Sequence, residues 1–409
     1  AITRQAGSPA DLQLQLLKPD GGKLAEVDDV GLEDSSFDFN CPADGDYALV
    51  VKDLHERGGL QFAWHVNVEP IKTSFLLTSS AETLNVPVGG ILPVSIQSQR
   101  KGYNGSIKIE ARNLPAGFES LPTWIGPGRN DAVLTIRTSK DAAAGSLSEI
   151  QIVGSAEIDG AMYETSASVR DVLKAANNAM PWPPQNLFYA IAAAATSPQP
   201  VNLRAEPAEL AFGKNLSATV KIIADRTEGW DADIALAVNP EKNGLPAEVT
   251  VNVQPIKAGS NEIELTFTAT DKAALGEFTV ALNGTVKKDK ETQTLSTPGL
   301  TLKLQEPLSV TVDPAEGKLT KNGELKLKVT VTRNPALAAP VVLSAVNLPK
   351  GVTAENITLA ADQSEGEFVL KAAADEEAAS DANLQIKADA ELGDKKFSVS
   401  SANLKLTVE

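Results

Sequence analysis

The sequence predicts an all-β chain built from tandem β-sandwich domains. Three observations carry this: a set of motifs that occurs three times, runs in which polar and apolar residues alternate strictly, and turn residues between those runs at sandwich spacing. Glu206-Pro207-Ala208-Glu209 and Asp313-Pro314-Ala315-Glu316 each run without a gap to Arg226 and Arg333. Both place Lys-Asn at the same offset, Lys214-Asn215 and Lys321-Asn322. A third copy ends at Arg100. Each arginine is followed by a bulky residue (Tyr103, Trp230, Leu337) and four residues later by a β-branched one (Ile107, Ile234, Val341). A Leu-Pro turn follows, Leu114-Pro115, Leu245-Pro246 and Leu348-Pro349.

The strand pattern is plainest in the third copy. Between Glu324 and Arg333, Leu325, Leu327, Val329 and Val331 fall on one face of an alternating run. Between Asn261 and Thr268, Ile263, Leu265 and Phe267 do the same, and Leu404 to Val408 closes the chain in the same way. In the Leu-Pro turns proline fixes the bend, Gly117 and Gly351 are free to take positive φ, and the leucines are expected to plug the end of the core.

These signals divide the chain into residues 1–70, which differ from the rest, and Ig-like domains over 71–172, 201–304 and 305–409. The expected fold is all-β, with tandem Ig-like or jelly-roll-like β-sandwich domains in an elongated array. Residues 173–200 are expected to be a proline-rich apolar linker. Pro181, Pro183 and Pro184 favour extended chain, Trp182, Phe188 and Tyr189 should pack against a neighbour, and 187–195 has the composition for one or two helical turns. The 304–307 junction is short and should couple the last two domains stiffly.

Composition narrows the function classes. With 53 acids against 37 bases the net charge is −16, which disfavours nucleic acid and anionic lipid as partners. The single cysteine, Cys41, rules out an intrachain disulfide and is expected to be a buried spectator thiol. The most apolar run, Leu187 to Ala195, is far shorter than the roughly 20 helical residues that cross a bilayer. The first residues, Ala-Ile-Thr-Arg, lack methionine and suggest a processed or truncated start.

The segment 1–70 carries Gly7-Ser8-Pro9 with Asp11, Asp28-Asp29, Asp44-Gly45-Asp46-Tyr47 and Gly58-Gly59. In this combination it resembles the C-terminal half of a bacterial pre-peptidase C-terminal domain, a small β-sandwich appended to secreted proteases and large surface proteins. The order of this segment followed by Ig-like repeats resembles large secreted proteins of the planctomycete type. The resemblance implies a fragment of a longer exported protein, secreted, periplasmic or on the cell surface. Independently of it, Asp44-Gly45 reads as a hairpin turn feeding the strand from Tyr47. Tyr47 should bury its ring and hydrogen-bond its hydroxyl, and Phe62 and Trp64 alternate as core residues.

Candidate chemistry is sparse. Asp28, Asp29 and Asp34 crowd one loop and are candidate oxygen ligands for calcium, though the spacing is not an EF-hand and solvated turn acids are the alternative. No other cofactor is indicated. Tyr103 and Trp230 occupy equivalent places and are candidates for stacking on sugar rings, with a core-plug role as the alternative that Leu337 supports. The two histidines, His55 and His65, and Cys41 all lie in the first 70 residues, and no nucleophile, zinc or phosphate-loop motif occurs. Sequons stand at Asn104, Asn215, Asn283 and Asn356. The leading expectation is therefore a non-catalytic structural or adhesive segment whose partner is protein, including itself. The alternative is a carbohydrate-binding accessory region of a secreted hydrolase, with a glycan as partner.

Overall fold

The computed structural model describes residues 3, 7–28, 34–177, 183–240, 244–373 and 381–408. The chain forms two compact units, one drawn mainly from residues before Ser74 and one from Ser74 onward. In the smaller unit, Leu12–Leu17 lies between Lys23–Val27 and Ala48–Asp53 in an antiparallel three-stranded sheet. Leu12 and Leu14 are buried in it, as their place in an alternating Leu-Gln run requires.

The larger unit holds three sandwiches wired alike. In the third, Leu308–Asp313 pairs with the arginine-bearing strand Glu324–Arg333, which pairs with Glu365–Ala372, which pairs with Val352–Ala354. Facing this sheet, Glu316–Leu319 runs parallel to Leu404–Val408, and Asp381–Leu392, Val341–Val346 and Ile357–Leu359 follow in order. The second sandwich repeats the plan, from Val201–Glu206 against Ser217–Arg226 to Glu209–Gly213 parallel to Leu300–Gln305. The first does too, with Thr83–Pro87 parallel to Ile191–Thr196. Its two sheets also join through Ala161–Ser168, which pairs with Ser74–Ser79. One sheet of four strands against one built on the last strands is the arrangement of an Ig-like sandwich. The expected faces hold: Leu327, Val329, Val331, Leu265 and Phe267 are buried, while Leu325 and Ile263 are partly buried at the rim.

The described residues of 173–200 do not form a linker: Ile191–Thr196 is a strand of the first sandwich. In the second and third sandwiches the returning strand is broken by a few residues, between Glu291–Ser296 and Leu300–Gln305 and between Lys395–Ser400 and Leu404–Val408. At each break a hydroxyl residue stitches the ladder. Thr297 donates its N–H to the Leu282 carbonyl and accepts from the Leu282 N–H through Oγ1, and Ser401 does the same with Ile386. In the first sandwich the same break, between Ala161–Ser168 and Ile191–Thr196, has opened into an insertion. The insertion begins with the short helix Arg170–Ala176, and Val169 donates to the Phe188 carbonyl to draw its ends together. The expected helical turns therefore give way to the strand Ile191–Thr196, with only the 3-10 turn Gln185–Leu187 beside it. Alanine hides the strand pattern: Ile191, Ala193 and Ala195 point inward, and the alternate alanines supply no polar contrast. Phe188 is half-buried under Arg170, and Tyr189 is exposed. Trp182 lies outside the described residues.

The repeated arginine has a role its position did not reveal. Each one leaves the end of its strand and donates to carbonyl oxygens of loops that no ladder satisfies. Arg100 reaches Arg129, Gly105 and Gly126 at 2.7–2.8 Å. Arg226 reaches Trp230 and Ala232, both at 2.8 Å. Arg333 reaches Ala339 at 3.1 Å, Ala360 at 3.0 Å and Gln363 at 2.5 Å. Burial lowers the pKa of all three guanidinium groups, and their partners are neutral carbonyls. An arginine remains charged under such a shift, so a planar fork of five donors is committed to holding loops in place.

The Leu-Pro turns follow the expected backbone. Gly117 and Gly351 have φ of 82° and 77°, and Asn113 and Asn347 also take positive φ. In the second repeat Glu248 stands where the others have glycine, at φ 64°, and accepts a hydrogen bond from Thr270 Oγ1. Leu114, Leu245 and Leu348 are only partly buried, each packed on the edge of its core, whereas Pro246 and Pro349 are buried. In the second and third repeats the proline closes the sandwich end more fully than the leucine does.

Arg333→Ala is expected to lower the stability of the third sandwich by about 2–4 kcal/mol, because several carbonyls lose a charged donor at once. Arg333→Lys should recover less than half of that loss, since a point ammonium does not span the fork. Chemical denaturation of the full chain, followed domain by domain through hydrogen exchange, reads both values.

Candidate functional site

The smaller unit contains a cleft of about 420 Å³. One face of its sheet supplies Leu14, Leu16 and Leu49, and Phe37, Phe39 and Val68 cover it in part. Tyr47 lines the cleft and donates its hydroxyl to the Ala43 carbonyl at 2.7 Å, so the ring braces the turn. Cys41 also lines it and is exposed, not buried, because it follows the covering segment rather than lying beneath it. Trp64, expected in the core, is 52% exposed, and Phe62 is half-buried beneath the Arg57 guanidinium. The alternation of this stretch is not used by a strand of its own.

The acids proposed for calcium are placed as follows. Asp34 accepts from the Thr3 amide at 2.9 Å and from the Thr3 hydroxyl at 2.6 Å. Asp28 is exposed, and its backbone carbonyl accepts from Ser35 Oγ. Asp29 lies outside the described residues. Among the described residues no group of three His, Cys, Asp or Glu side chains is gathered as a metal site would gather it.

A different acid is the best-organised group of the unit. Asp53 accepts from the backbone N–H groups of Asp11, His55 and Arg57 and from two nitrogens of the Arg57 side chain, all at 2.9–3.1 Å. The Arg57 side chain first, then the Asp11 amide, holds its carboxyl well below the usual carboxylate range. This ties the last strand and its loop to the start of the first strand. His55 lies in the same loop, with Nε2 3.7 Å from Asp11. The constellation is therefore a clasp: His55 and Asp53 are both present, but the carboxylate is fully engaged by donors that orient the chain.

In the larger unit the two aromatic candidates are held within their sandwiches. Trp230 is 7% exposed and its ring faces the Lys288 ammonium. Tyr103 packs on Phe75 with ring centroids 5.9 Å apart and donates its hydroxyl to the Ser106 carbonyl. Leu337, in the same place, is 1% exposed. A sugar has no open ring face at Trp230, and all three side chains fill the space beside the arginine.

A polar contact between the first two repeats is one that the sequence did not signal. The first and second sandwiches meet along Asp131–Thr138 and Gly276–Lys288, where residues 132–136 and 278–282 are buried on both faces. Gly299 donates its N–H to Thr135 Oγ1 at 2.9 Å, and Trp124 donates its N–H to Thr279 Oγ1 at 2.9 Å. A Cβ on Gly299 would lie 2.9 Å from Thr279 Cγ2, and one on Gly126 would enter the Phe278 ring. Only glycine allows this approach. The second and third sandwiches share one core cluster across their junction, which includes Leu304 and Leu308.

No protein-family model matches the sequence, and no curated protein matches it. Solved structures of tandem Ig domains do. The N-terminal four Ig domains of Dscam1 isoform 6.9 align over 97% of this chain and 91% of that one, at 12% identity and a TM-score of 0.28. A complex of Dpr2 Ig1-Ig2 with DIP-Theta Ig1-Ig3 aligns over 82% of this chain and 100% of that one, at 10% identity and a TM-score of 0.19. Chimeric titin Z1Z2 aligns over 52% and 94%, at 12% identity and a TM-score of 0.20. The Ig-like assignment rests on the strand order rather than on these superpositions.

The Asp53 clasp gives a pH dependence with a fixed sign. Its folded pKa lies below the unfolded value of about 3.9, so its stabilisation is complete above that pH and is lost as pH falls toward the folded value. Hydrogen exchange in Leu12–Leu17 should lose protection below about pH 4. Asp53→Asn should start from weaker protection at neutral pH and lack that part of the acid response.

Proposed function

We propose that this chain is a non-catalytic structural or adhesive segment of an exported multidomain bacterial protein, acting by assembly or surface attachment. The observation that carries the reading is how the polar groups of the repeats are employed. The three arginines hold loop carbonyls, and Thr135 and Thr279 hold the backbone of a neighbouring domain. Catalysis asks the reverse of such groups, an acid, base or nucleophile left free in a cleft with a tuned pKa. Here the strongest carboxylate perturbation belongs to a clasp whose donors are all within the chain.

On this reading the smaller unit is the C-terminal half of a pre-peptidase-type sandwich and the repeats are the spacer or contact surface beyond it. The partner is protein, including further copies of the chain. The acidity favours a soluble, salt-tunable surface. Among the described residues no helix is long and apolar enough to cross a membrane.

Electron microscopy and light scattering of the purified chain over a range of salt and divalent-ion concentrations, beside a screen of glycosidase and peptidase substrates, test the proposal. Concentration-dependent association without turnover is the expected outcome. Turnover of a sugar or peptide substrate by a chain that stays monomeric would overturn it.

A further inference from the structure

The sequence holds four Asn-Gly pairs, Asn104-Gly105, Asn243-Gly244, Asn283-Gly284 and Asn322-Gly323. Such a pair carries its own reaction: the glycine nitrogen attacks the asparagine side-chain carbonyl, and no Cβ on the glycine hinders the approach. Asn243 lies outside the described residues, and the fold treats the other three differently. Asn283 and Gly284 stand in the interior of Gly276–Lys288, paired with Ala235–Asn239 on one side and Glu291–Ser296 on the other. The Asn283 side-chain oxygen is buried there. Asn322-Gly323 sits in a turn where the Gly323 N–H donates to the Thr320 carbonyl at 2.8 Å. Asn104 is exposed, and among the described residues neither its side chain nor the Gly105 N–H has a hydrogen-bond partner. This nitrogen gives up no bond when it loses its proton and turns toward the side chain.

The arginine clamp adds to this. A Cβ on Gly105 would lie 2.4 Å from Tyr103 Oη, so the packing of the tyrosine requires glycine here. Arg100 donates to the carbonyls on either side of Asn104, to Tyr103 at 3.4 Å and to Gly105 at 2.7 Å. A positive charge in that place favours the anion formed as the Gly105 nitrogen gives up its proton. The second repeat shows that an acid is accommodated at this position. Asp231 stands there, between Trp230 and Ala232, whose carbonyl Arg226 holds. Burial lowers the Arg226 pKa, and the Asp231 charge opposes that shift.

We propose that Asn104 is a self-modification site, where the Gly105 nitrogen displaces ammonia from the Asn104 side chain and water completes the conversion to aspartate or isoaspartate. A bond forms from Gly105 N to Asn104 Cγ, the Cγ–Nδ2 bond breaks, and ammonia leaves from a five-membered imide. Water attack at Cγ opens the imide to aspartate with the original main chain. Attack at the backbone carbonyl gives isoaspartate, whose main chain runs through the side chain and is one carbon longer. Both products add a negative charge, and only the second displaces the loop. Ser106, two residues on, lies against the second sandwich, since a Cβ on Gly276 would stand 3.3 Å from Ser106 Oγ. Isoaspartate at position 104 therefore shifts a loop on which the first junction rests. The reaction needs water alone, so it proceeds whether or not the chain assembles.

The full chain, aged in neutral and mildly alkaline buffer, is digested and mapped by mass and by enzymatic methylation of isoaspartate. Asn104 should convert at least about tenfold faster than Asn283 and Asn322, a barrier difference of about 1.4 kcal/mol. Its rate should rise with pH, because the nucleophile is the deprotonated nitrogen. In urea, where no fold distinguishes them, the three should convert at similar rates. Asn104→Gln should remove the reaction at this position, since the ring it would close is six-membered. Asn104→Asp supplies the charge without the longer main chain. Hydrogen exchange at Trp124 and Gly299 should therefore quicken in the isoaspartate fraction and stay slow in Asn104→Asp. Conversion of Asn283 or Asn322 ahead of Asn104 in the folded chain would overturn the site. Unchanged exchange in the isoaspartate fraction would overturn its effect on the junction.

Discussion

A guanidinium that gives its donors to loop carbonyls does two things at once. It engages loop oxygens that no strand ladder uses, and it fixes several loops relative to a single strand end. Arg100, Arg226 and Arg333 do this at the same end of each sandwich. The bulky residue that follows each arginine then fills the space beside it, and the β-branched residue four positions later starts the next buried strand. Ile107, Ile234 and Val341 are all fully buried. With the loops so placed, the neighbouring strand ends at Thr123–Ile125 and Gly126 are positioned to receive the second sandwich. Removing the arginine would release both the domain's own loops and, in the first repeat, the surface its neighbour rests on.

This use of charge separates the repeats from a binding cleft. Ion pairs such as Lys326–Glu367 and Lys328–Glu365 sit on outward strand faces, with both partners more than half exposed. Exposed pairs of this kind contribute little to stability and serve mainly to keep strand faces soluble and correctly paired. The free energy that specifies the arrangement lies in the buried contacts, the carbonyl clamps, the glycine approaches at Gly126 and Gly299, and the shared core of the last two sandwiches.

Much of the fold was legible because alternation and turn chemistry are local. Leu327 to Val331, Leu265 and Phe267, and the positive-φ glycines of the Leu-Pro turns all obey short-range rules. Residues 173–200 look like a linker for a physical reason: prolines interrupt the segment, and a strand of alternating alanines carries almost no amphipathic contrast. Cys41 and Trp64 look like core residues because apolar residues usually find a core, yet the described residues of the small unit form one three-stranded sheet. The repeated arginine was visible as a pattern, but its partners are backbone oxygens from distant loops, which leave no signature in the sequence. The Asp53 clasp was hidden in the same way, since three of its five bonds come from main-chain amides.

The central claim is that polar groups of the repeats hold loops and domain junctions in fixed positions. Native-state hydrogen exchange of the full chain tests it at two amides. Trp124 and Gly299 each donate across the first junction, to Thr279 and Thr135. The account predicts that both exchange as slowly as the core amides of Gly276–Lys288, opening only when a whole sandwich unfolds. Exchange at the rate of exposed loops, with the core strands still protected, would show that the junction opens freely and would contradict the account.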